Sequence, residues 1–583
     1  MRSLCSVKLK PTEQSRSQIK MNNQDKQRQS SFYIGKFIMD RVLPLGLLLV
    51  TCTSQIPSSA QLPSAATTSY PRNQALYVTM RDGTKIAVDV WLPKDLSPGA
   101  KIPTIMRATR YWRVFDFVDN NLEKNQYSYK EAEAFNNFGY AVVSVDARGT
   151  GASFGRWSYP WSNKEIKDYD EIVNWIVAQP WSNDKVGAIG ISYEGNTAEF
   201  LAVTNNPAVK AVVPRFSDFD PYAHLVFPGG ILNNRFVKEW NQLNQALDTN
   251  DICAVQEVKG PACEQLKTLI TGVKPVDKDK DKRLLGEAVK QHADNLNVYK
   301  AALQTTYRDD SFGKSGIAVE DFSPYSFKKD IERSKVAIYG WGSWLDAGTA
   351  NGVLSRFMTF SNPQKAIIGP WNHGASEDTN PYLASNTPVN PPLEQQFLDI
   401  VSFFDTYLKN NGKPIPRELK YYTMGEEKWK TTKVWPPAGV TNQRWYLAAN
   451  GSLTTAAPIN KAGADTYTVN FAATTGETNR WFQGGKDVIY PDRTIEDKKL
   501  LTYTSDRLHQ DVEITGHPVV TLYVTSTAKD GAFYVYLEDV DENGKVTYVT
   551  EGQLRPLHRK VSNEIPIQFL VPTIRSSSQT ADL

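Results

Sequence analysis

The 583-residue chain has few cysteines and little net charge, and both shortages exclude classes of protein. Its four cysteines are too few for a disulfide-dense scaffold and argue against a thiolate zinc cluster. The net charge is only +3, whereas a nucleic-acid-binding protein carries a strong basic excess. With 40% hydrophobic and 22% charged residues, the composition is that of an ordinary globular protein. At roughly 150 residues per domain, a chain of this length is predicted to form three or four domains, or one large domain with additions.

The first 60 residues have the layout of an export signal. Residues 1–41 contain nine basic and three acidic residues, and residues 42–50 form a short apolar run. This run is well short of the roughly 20 residues that a membrane span needs. We predict export to the periplasm or the extracellular space. Cys52 follows the run and makes a lipid anchor one alternative, and a disordered cytosolic extension is another.

Two further cysteines, Cys253 and Cys263, lie ten positions apart with Gly260 and Pro261 between them. A Gly-Pro turn can bring the two thiols together. In an oxidising compartment this spacing predicts a local disulfide, and the alternative is two unrelated buried thiols.

From about residue 74 the chain alternates apolar runs with helix-like segments. The predicted strands are residues 86–91, 102–109, 141–145, 186–191, 209–213, 336–339 and 366–368. The predicted helices are residues 128–137, 164–178, 194–204 and 347–360. Apolar runs of this length suit strands covered on both faces. The alternation therefore predicts an α/β fold, an open and mostly parallel sheet with helices on both sides.

The alternation is interrupted twice, which divides the chain. Residues 221–329 are polar and mostly helical, as expected of an inserted cap. Beyond the helix-like residues 393–408, the chain consists of strands and turns. The predicted strands there are residues 444–447, 467–471, 519–524, 533–540 and 546–550, with Asn543-Gly544 as a hairpin turn. We predict a leader (1–60), a split α/β core (61–220 and 330–412), a cap (221–329) and an all-β domain (413–583).

The most specific motif is Gly-Ile-Ser-Tyr-Glu-Gly at residues 190–195, between a predicted strand and a predicted helix. A serine on such a tight turn projects its hydroxyl above the sheet, and the N–H that follows it can stabilise an oxyanion. The usual spacing is Gly-x-Ser-x-Gly, so the second glycine comes one residue late. Ser192 is the candidate nucleophile, and an ordinary βα turn is the alternative.

A nucleophilic serine needs a base, and the base needs an orienting acid. Of six histidines, His373 is the one just past a predicted sheet strand, and Asp346 follows the preceding strand. The other five histidines are His224, His292, His509, His517 and His558. The order Ser192, Asp346, His373 is the order of α/β-hydrolases, and open α/β sheets place their sites at these strand ends.

With these motifs the chain resembles the cocaine esterase, X-Pro dipeptidyl-peptidase and α-amino-acid ester hydrolase family over roughly residues 75–560. The matching segments are residues 80–84 and 92–93, 146–153, 190–195, 340–346, 369–373, 516–518, 539–540 and 552–555. The resemblance implies an α/β-hydrolase core, a helical cap and a carboxyl-terminal jelly roll. It also makes the displaced glycine a feature of the family. In the family, the β domain continues for several strands beyond residues 552–555, so we expect a truncated jelly roll here.

The resemblance further implies an oxyanion hole made by the Tyr111 hydroxyl and the Tyr193 N–H. A packed loop aromatic is the alternative for Tyr111. We expect a serine hydrolase of small esters, amides or short peptides that uses no metal and no cofactor. An inactive binding protein that uses the jelly roll is the alternative function. The family's peptidases and amino-acid ester hydrolases bind a free amino group through carboxylates; the candidates here are Asp218, Asp220, Asp309 and Asp310.

Overall fold

The computed structural model describes residues 2–10, 74–459, 463–482 and 488–559. In chain order its strands are β1 (Arg2–Lys10), β2 (Gln74–Thr79), β3 (Lys85–Trp91), β4 (Ile102–Thr109), β5 (Phe115–Phe117), β6 (Ala141–Asp146), β7 (Ser182–Ile191), β8 (Val209–Arg215), β9 (Ile270–Val273), β10 (Ala337–Ser343), β11 (Gln364–Gly369), β12 (Glu418–Thr423), β13 (Lys428–Thr432), β14 (Tyr446–Ala448), β15 (Ser452–Thr454), β16 (Leu501–Thr504), β17 (Ala532–Val540) and β18 (Val546–Leu554).

The α-helices are α1 (Asn120–Lys124), α2 (Tyr127–Asn137), α3 (Asn163–Val177), α4 (Tyr193–Val203), α5 (Asn234–Asp248), α6 (Ile252–Val255), α7 (Pro261–Lys267), α8 (Arg283–Gln291), α9 (Val298–Ala302), α10 (Lys328–Ser334), α11 (Thr349–Thr359), α12 (Leu393–Leu408) and α13 (Thr494–Asp497). Short 3-10 or π turns lie at Tyr222–Val226, Pro228–Gly230, His292–Asp294, Val319–Phe322, Pro324–Phe327, Ala449–Gly451 and Pro556–His558.

A ten-stranded sheet in the order β13-β12-β11-β10-β8-β7-β4-β6-β3-β2 forms the centre of the molecule. Its seven inner strands, from β12 to β6, run parallel, and β3 and β13 run antiparallel to their inner neighbours. Every residue of β6 is buried, as expected for a strand covered on both faces.

Helices cover both faces of this sheet. On one face Val143 and Val145 of β6 join a core that includes Ile172 of α3 and Leu201 of α4. On the other face Val142 joins a core with α2 and α12. Successive residues of a strand point to opposite faces, so one short apolar run supplies both cores. The sequence prediction of an open α/β sheet is confirmed, and all seven predicted strands and four predicted helices of this region are present.

Residues 221–329 contain α5 to α9 and the strand β9, which pairs antiparallel with β5 of the preceding core segment. Cys253 in α6 and Cys263 in α7 form a disulfide, with their Cα atoms 5.3 Å apart. Gly260 has φ of 60° and Pro261 opens α7 directly after it, so these two residues make the turn that brings the cysteines together. The boundaries of the cap stay a prediction.

A second sheet has six strands in the order β14-β15-β16-β1-β17-β18, of which five lie beyond residue 412 and β1 comes from residues 2–10. The hairpin of β17 and β18 turns at Asp541 to Lys545, with Gly544 at φ of 83°. The predicted hairpin turn at Asn543-Gly544 is therefore confirmed. The jelly-roll arrangement stays a prediction.

Two strands predicted in the β domain are wrong. Residues 467–471 and 519–524 have no strand structure, and Val519 and Tyr523 are 83% and 99% exposed. The physical reason is the lack of a partner. β1 pairs with β17 on one side and with β16 on the other, so those sheet edges are occupied. Apolar alternation gives a strand only where another strand accepts its hydrogen bonds.

Of the predicted leader, the structure describes residues 2–10. The apolar run 42–50 and Cys52 lie outside the described residues, and export stays a prediction. Within the described part of the chain, no helix is both long and apolar enough to cross a membrane.

Candidate active site

Ser192 lies on the sharp turn between β7 and α4, with φ of 63° and ψ of −127°. A Cβ atom on Gly190 would come 2.3 Å from the Glu194 carbonyl oxygen, and one on Gly195 would come 2.7 Å from the Arg215 carbonyl oxygen. Both positions therefore need glycine. The late second glycine follows from this packing, because the glycine is required where helix α4 passes the end of β8.

Two contacts hold this turn in place. The Ser192 N–H donates to the Arg215 carbonyl over 2.9 Å. Arg107, on β4, donates from Nε and Nη2 to the two carboxylate oxygens of Glu194, each over 2.9 Å. Such a bidentate buried pair fixes geometry as well as adding energy. The start of α4 is thereby attached to two neighbouring strands.

Asp346 follows β10 and His373 follows β11, two neighbouring strands that lie beyond β8 in the sheet. The Nδ1 atom of His373 lies 2.8 Å from Oδ2 of Asp346. The Thr349 hydroxyl also donates to this carboxylate oxygen, over 3.2 Å. Asp346 is 2% exposed, whereas His373 is half-buried. A carboxylate at Nδ1 fixes the imidazole tautomer and leaves Nε2 for another partner.

Ser192, His373 and Asp346 line one large, mostly apolar cavity. A smaller apolar cavity adjoins it, and Ser192 and Tyr111 line both. The walls of the smaller cavity include Trp161, Phe312 and Phe322. Residues from outside the central sheet also line the larger cavity: Phe236, Trp240 and Leu243 of α5, and Arg480, Trp481 and Phe482 of the β domain.

Tyr111 and Tyr193 lie beside the nucleophile. The Tyr111 hydroxyl accepts a 2.9 Å hydrogen bond from the Trp240 indole N–H, and its ring meets that of Tyr193 edge-on. Tyr193 is the first residue of α4. The first N–H groups of a helix have no acceptor within it, so the Tyr193 N–H is suited to bind an anion.

Asp218 differs from the other candidate carboxylates because it lines both cavities. Its side chain is 7% exposed. Burial, and then the charges of Asp346 and Asp220, raise the pKa of Asp218 to about 7. Asp220 instead pairs with Arg308 over 2.5 Å. Asp310 accepts backbone hydrogen bonds inside its own loop.

The five other histidines line neither cavity. His224 and His292 are buried in the inserted segment and His558 near the last described residues. Burial lowers the pKa of both His224 and His558 to about 4. His517 accepts a hydrogen bond from Trp435. Of the six, His373 is the one that lines the same cavity as Ser192.

Several residues that support the site were missed by the sequence reasoning. Arg215 donates to the Gly374 carbonyl over 3.0 Å and so holds the loop that carries His373. The Arg480 carbonyl accepts the Ala347 N–H over 2.8 Å, directly after Asp346. These contacts join residues more than 130 positions apart, and no local pattern predicts them. Among the described residues, no three His, Cys, Asp or Glu side chains group as metal ligands.

A parallel sheet, a strained serine at the end of one strand and a His–Asp pair at the ends of two later strands are the features of an α/β-hydrolase. The protein is a serine hydrolase. Residues 82–375 match the X-Pro dipeptidyl-peptidase (S15) family, and residues 411–574 match the C-terminal non-catalytic domain of X-Pro dipeptidyl-peptidases. The chain belongs to the S15 family, which confirms the resemblance seen in the sequence.

Curated relatives carry esterase and peptidase names. A Mycobacterium bovis protein named as a serine esterase is 40% identical over 85% of this chain and 83% of its own length. The cocaine esterase of Rhodococcus sp. is 25% identical over 83% of each chain. A Bacillus anthracis protein named as a Xaa-Pro dipeptidyl-peptidase is 22% identical over 84% of this chain and 76% of its own.

Solved structures share the fold. An α-amino acid ester hydrolase matches with a TM-score of 0.61 at 21% identity, over 87% of this chain and 85% of that one. An aminopeptidase from a Thaumarchaeota archaeon also gives a TM-score of 0.61, at 19% identity and the same coverage.

Proposed function

We propose that the protein hydrolyses carboxylic esters through a covalent acyl-enzyme on Ser192, with His373 as base and Asp346 as the group that orients it. The observation that carries the proposal is the 2.8 Å contact of His373 Nδ1 with the buried Asp346, in the same cavity as Ser192. Three side chains from three strand ends thus meet at one opening.

In the proposed reaction, His373 Nε2 takes the Ser192 proton as the hydroxyl oxygen attacks the substrate carbonyl. Asp346 stabilises the imidazolium that forms. The imidazolium then gives this proton to the leaving alcohol, and the acyl group stays on Ser192. A water molecule, deprotonated by His373, releases the acid and restores the serine hydroxyl.

The oxyanion of each tetrahedral intermediate is proposed to lie between the Tyr111 hydroxyl and the Tyr193 N–H. The Trp240 indole donates to the Tyr111 hydroxyl, and a hydroxyl that accepts a hydrogen bond becomes a better donor. Donors of this kind are worth about 3–4 kcal/mol each in the transition state.

The two cavities favour an apolar acyl group. Both open at Ser192, and the smaller one is walled by the aromatic rings of Trp161, Phe312 and Phe322. We propose that this cavity takes the acyl chain and that the larger one takes the alcohol. Relatives named as serine esterase and cocaine esterase support ester cleavage. A fluorophosphonate that fails to label the protein would instead favour the inactive binding protein.

The first prediction tests the nucleophile. Ser192→Ala should lower kcat for p-nitrophenyl esters by about 10⁴-fold or more, because no acyl-enzyme can form. The same substitution should abolish labelling by a fluorophosphonate, followed by peptide mass spectrometry. The matched control is Ser217→Ala, another buried serine close by that lines neither cavity. If Ser192→Ala keeps the kcat of the unmodified protein, or is still labelled by the fluorophosphonate, the nucleophile is another residue.

A further inference from the structure

Glu165 is a fully buried acid directly behind the nucleophile turn. It lies in the first turn of α3, and its exposed fraction is 0%. Its Oε1 atom accepts hydrogen bonds from the hydroxyls of Tyr193, over 2.6 Å, and Tyr169, over 2.5 Å. Its Oε2 atom has no hydrogen-bond partner among the described residues. The mechanism proposed above does not use this group.

The Tyr193 side chain is held from several sides. Besides its bond to Glu165, its hydroxyl accepts a 3.0 Å hydrogen bond from the Trp157 indole. The Trp161 ring stacks on the Tyr193 ring at 4.9 Å, and the Trp161 indole donates to the Tyr193 carbonyl over 3.1 Å. Tyr193 therefore cannot turn without breaking buried hydrogen bonds.

We propose that Glu165 is a positioning residue for the oxyanion hole. Through the Tyr193 hydroxyl it holds the first residue of α4, and with it the backbone N–H proposed above as an oxyanion donor. The inference rests on the proposed function, in which that N–H binds the oxyanion. Glu165 acts through Tyr193 and does not itself touch the substrate.

The charge state of Glu165 agrees with this role. Burial raises its pKa to about 7, against the hydrogen bonds from Tyr169 and Tyr193, which lower it. The other charged groups that act on it are Asp168 of α3, which raises the pKa, and Arg110 of the loop after β4, which lowers it. A carboxyl group that is partly neutral at pH 7 can be replaced by an amide of the same shape, so glutamine is the conservative variant.

The test compares two tyrosines that share the Glu165 oxygen. Tyr193→Phe should lower kcat by about tenfold, with little change in KM. This is a smaller loss of kcat than the hundredfold or more that follows removal of an oxyanion donor itself. Tyr169→Phe removes an equivalent buried hydrogen bond that does not reach the nucleophile turn, and it should leave kcat within about twofold. Both variants lose a bond to Glu165, and Tyr193→Phe also removes the acceptor of the Trp157 indole. The melting temperature of each variant is therefore measured first, and kcat is compared well below both, where loss of stability alone changes neither value.

A second pair tests Glu165 itself. Glu165→Met should lower kcat as Tyr193→Phe does, and Glu165→Gln should restore at least half of it. Equal kcat values for the two tyrosine variants, or a normal kcat for a folded Glu165→Met, would overturn the inference. If Glu165→Met does not fold, the tyrosine pair decides. An unmodified protein that neither hydrolyses esters nor labels at Ser192 would show instead that the proposed function has failed.

Discussion

Ser192 has a backbone conformation that side chains rarely adopt, and its neighbours make this conformation possible. A residue at φ of 63° and ψ of −127° costs about 1–3 kcal/mol. The buried pair of Arg107 with Glu194 offsets this cost from one side, and the close packing at Gly195 allows no relaxation on the other. The strain is therefore maintained by residues on two other strands.

The second prediction concerns the pH dependence of stability that Asp218 causes. In the unfolded chain an aspartate has a pKa of about 3.9, whereas burial raises the pKa of Asp218 to about 7. Between these values the folded protein binds the extra proton, so stability falls as the pH rises from about 4 to 7 and then levels off. Asp218→Asn lacks this loss. The free energy of unfolding of Asp218→Asn, relative to that of the parent protein, should therefore rise by about 2–3 kcal/mol between pH 5 and pH 8.

The measurement is the melting temperature of both proteins at pH 5 and pH 8. Asp309→Asn is the control, because Asp309 is an exposed acid of the inserted segment and surface substitutions change stability little. If Asp218→Asn differs from the parent protein by the same amount at both pH values, Asp218 does not hold its proton in the folded state.

At the scale of elements, the sequence predicted the central sheet well and the β domain less well. The strands of a parallel sheet are buried on both faces, so their apolar runs identify them. Residues 519–524 form an equally apolar run, yet they pair with no strand of the second sheet, in which β1 lies between β16 and β17. A strand in an antiparallel sheet depends on which partner reaches the edge, and a local sequence does not contain that information.

The disulfide between α6 and α7 carries the third prediction. It closes a loop of ten residues in the inserted segment, and a loop of that length is worth about 2–3 kcal/mol. Adding a reductant should therefore lower the melting temperature of the oxidised protein by several degrees. The control is Cys253→Ser with Cys263→Ser, which should already melt at the lower temperature and should not respond to reductant. An unchanged melting temperature, with both thiols shown free by mass spectrometry, would contradict the prediction.

At the scale of the whole molecule, the β domain completes the cavity. Arg480, Trp481 and Phe482 line it. The Trp481 carbonyl accepts a 2.9 Å hydrogen bond from Asn233, at the start of α5. The Arg480 carbonyl binds the N–H of Ala347, next to Asp346. One short segment therefore contacts both the inserted segment and the loop of the orienting acid.

Phe482 carries the fourth prediction. Phe482→Ala removes an aromatic wall of the larger cavity, and loss of about 60 Å² of apolar contact at roughly 25 cal/mol per Å² amounts to about 1.5 kcal/mol. KM for esters of bulky alcohols should rise about tenfold, while kcat and the KM for methyl esters change little. Phe533→Ala is the control, since Phe533 lies half-buried in β17 and lines neither cavity. Equal effects on bulky and methyl esters would exclude a direct role of Phe482 in binding the alcohol.

The sequence by itself determined the parallel sheet, the glycine-flanked serine turn and the strand-end positions of Ser192, Asp346 and His373. These features follow from local residue types, because burial on both faces and a tight turn each require particular side chains. Only the tertiary structure decided that Asp218 faces the cavity while Asp220 pairs with Arg308, and that Glu165 lies behind Tyr193. Burial and pairing of such charges depend on residues far apart in the chain, which only the folded protein brings together.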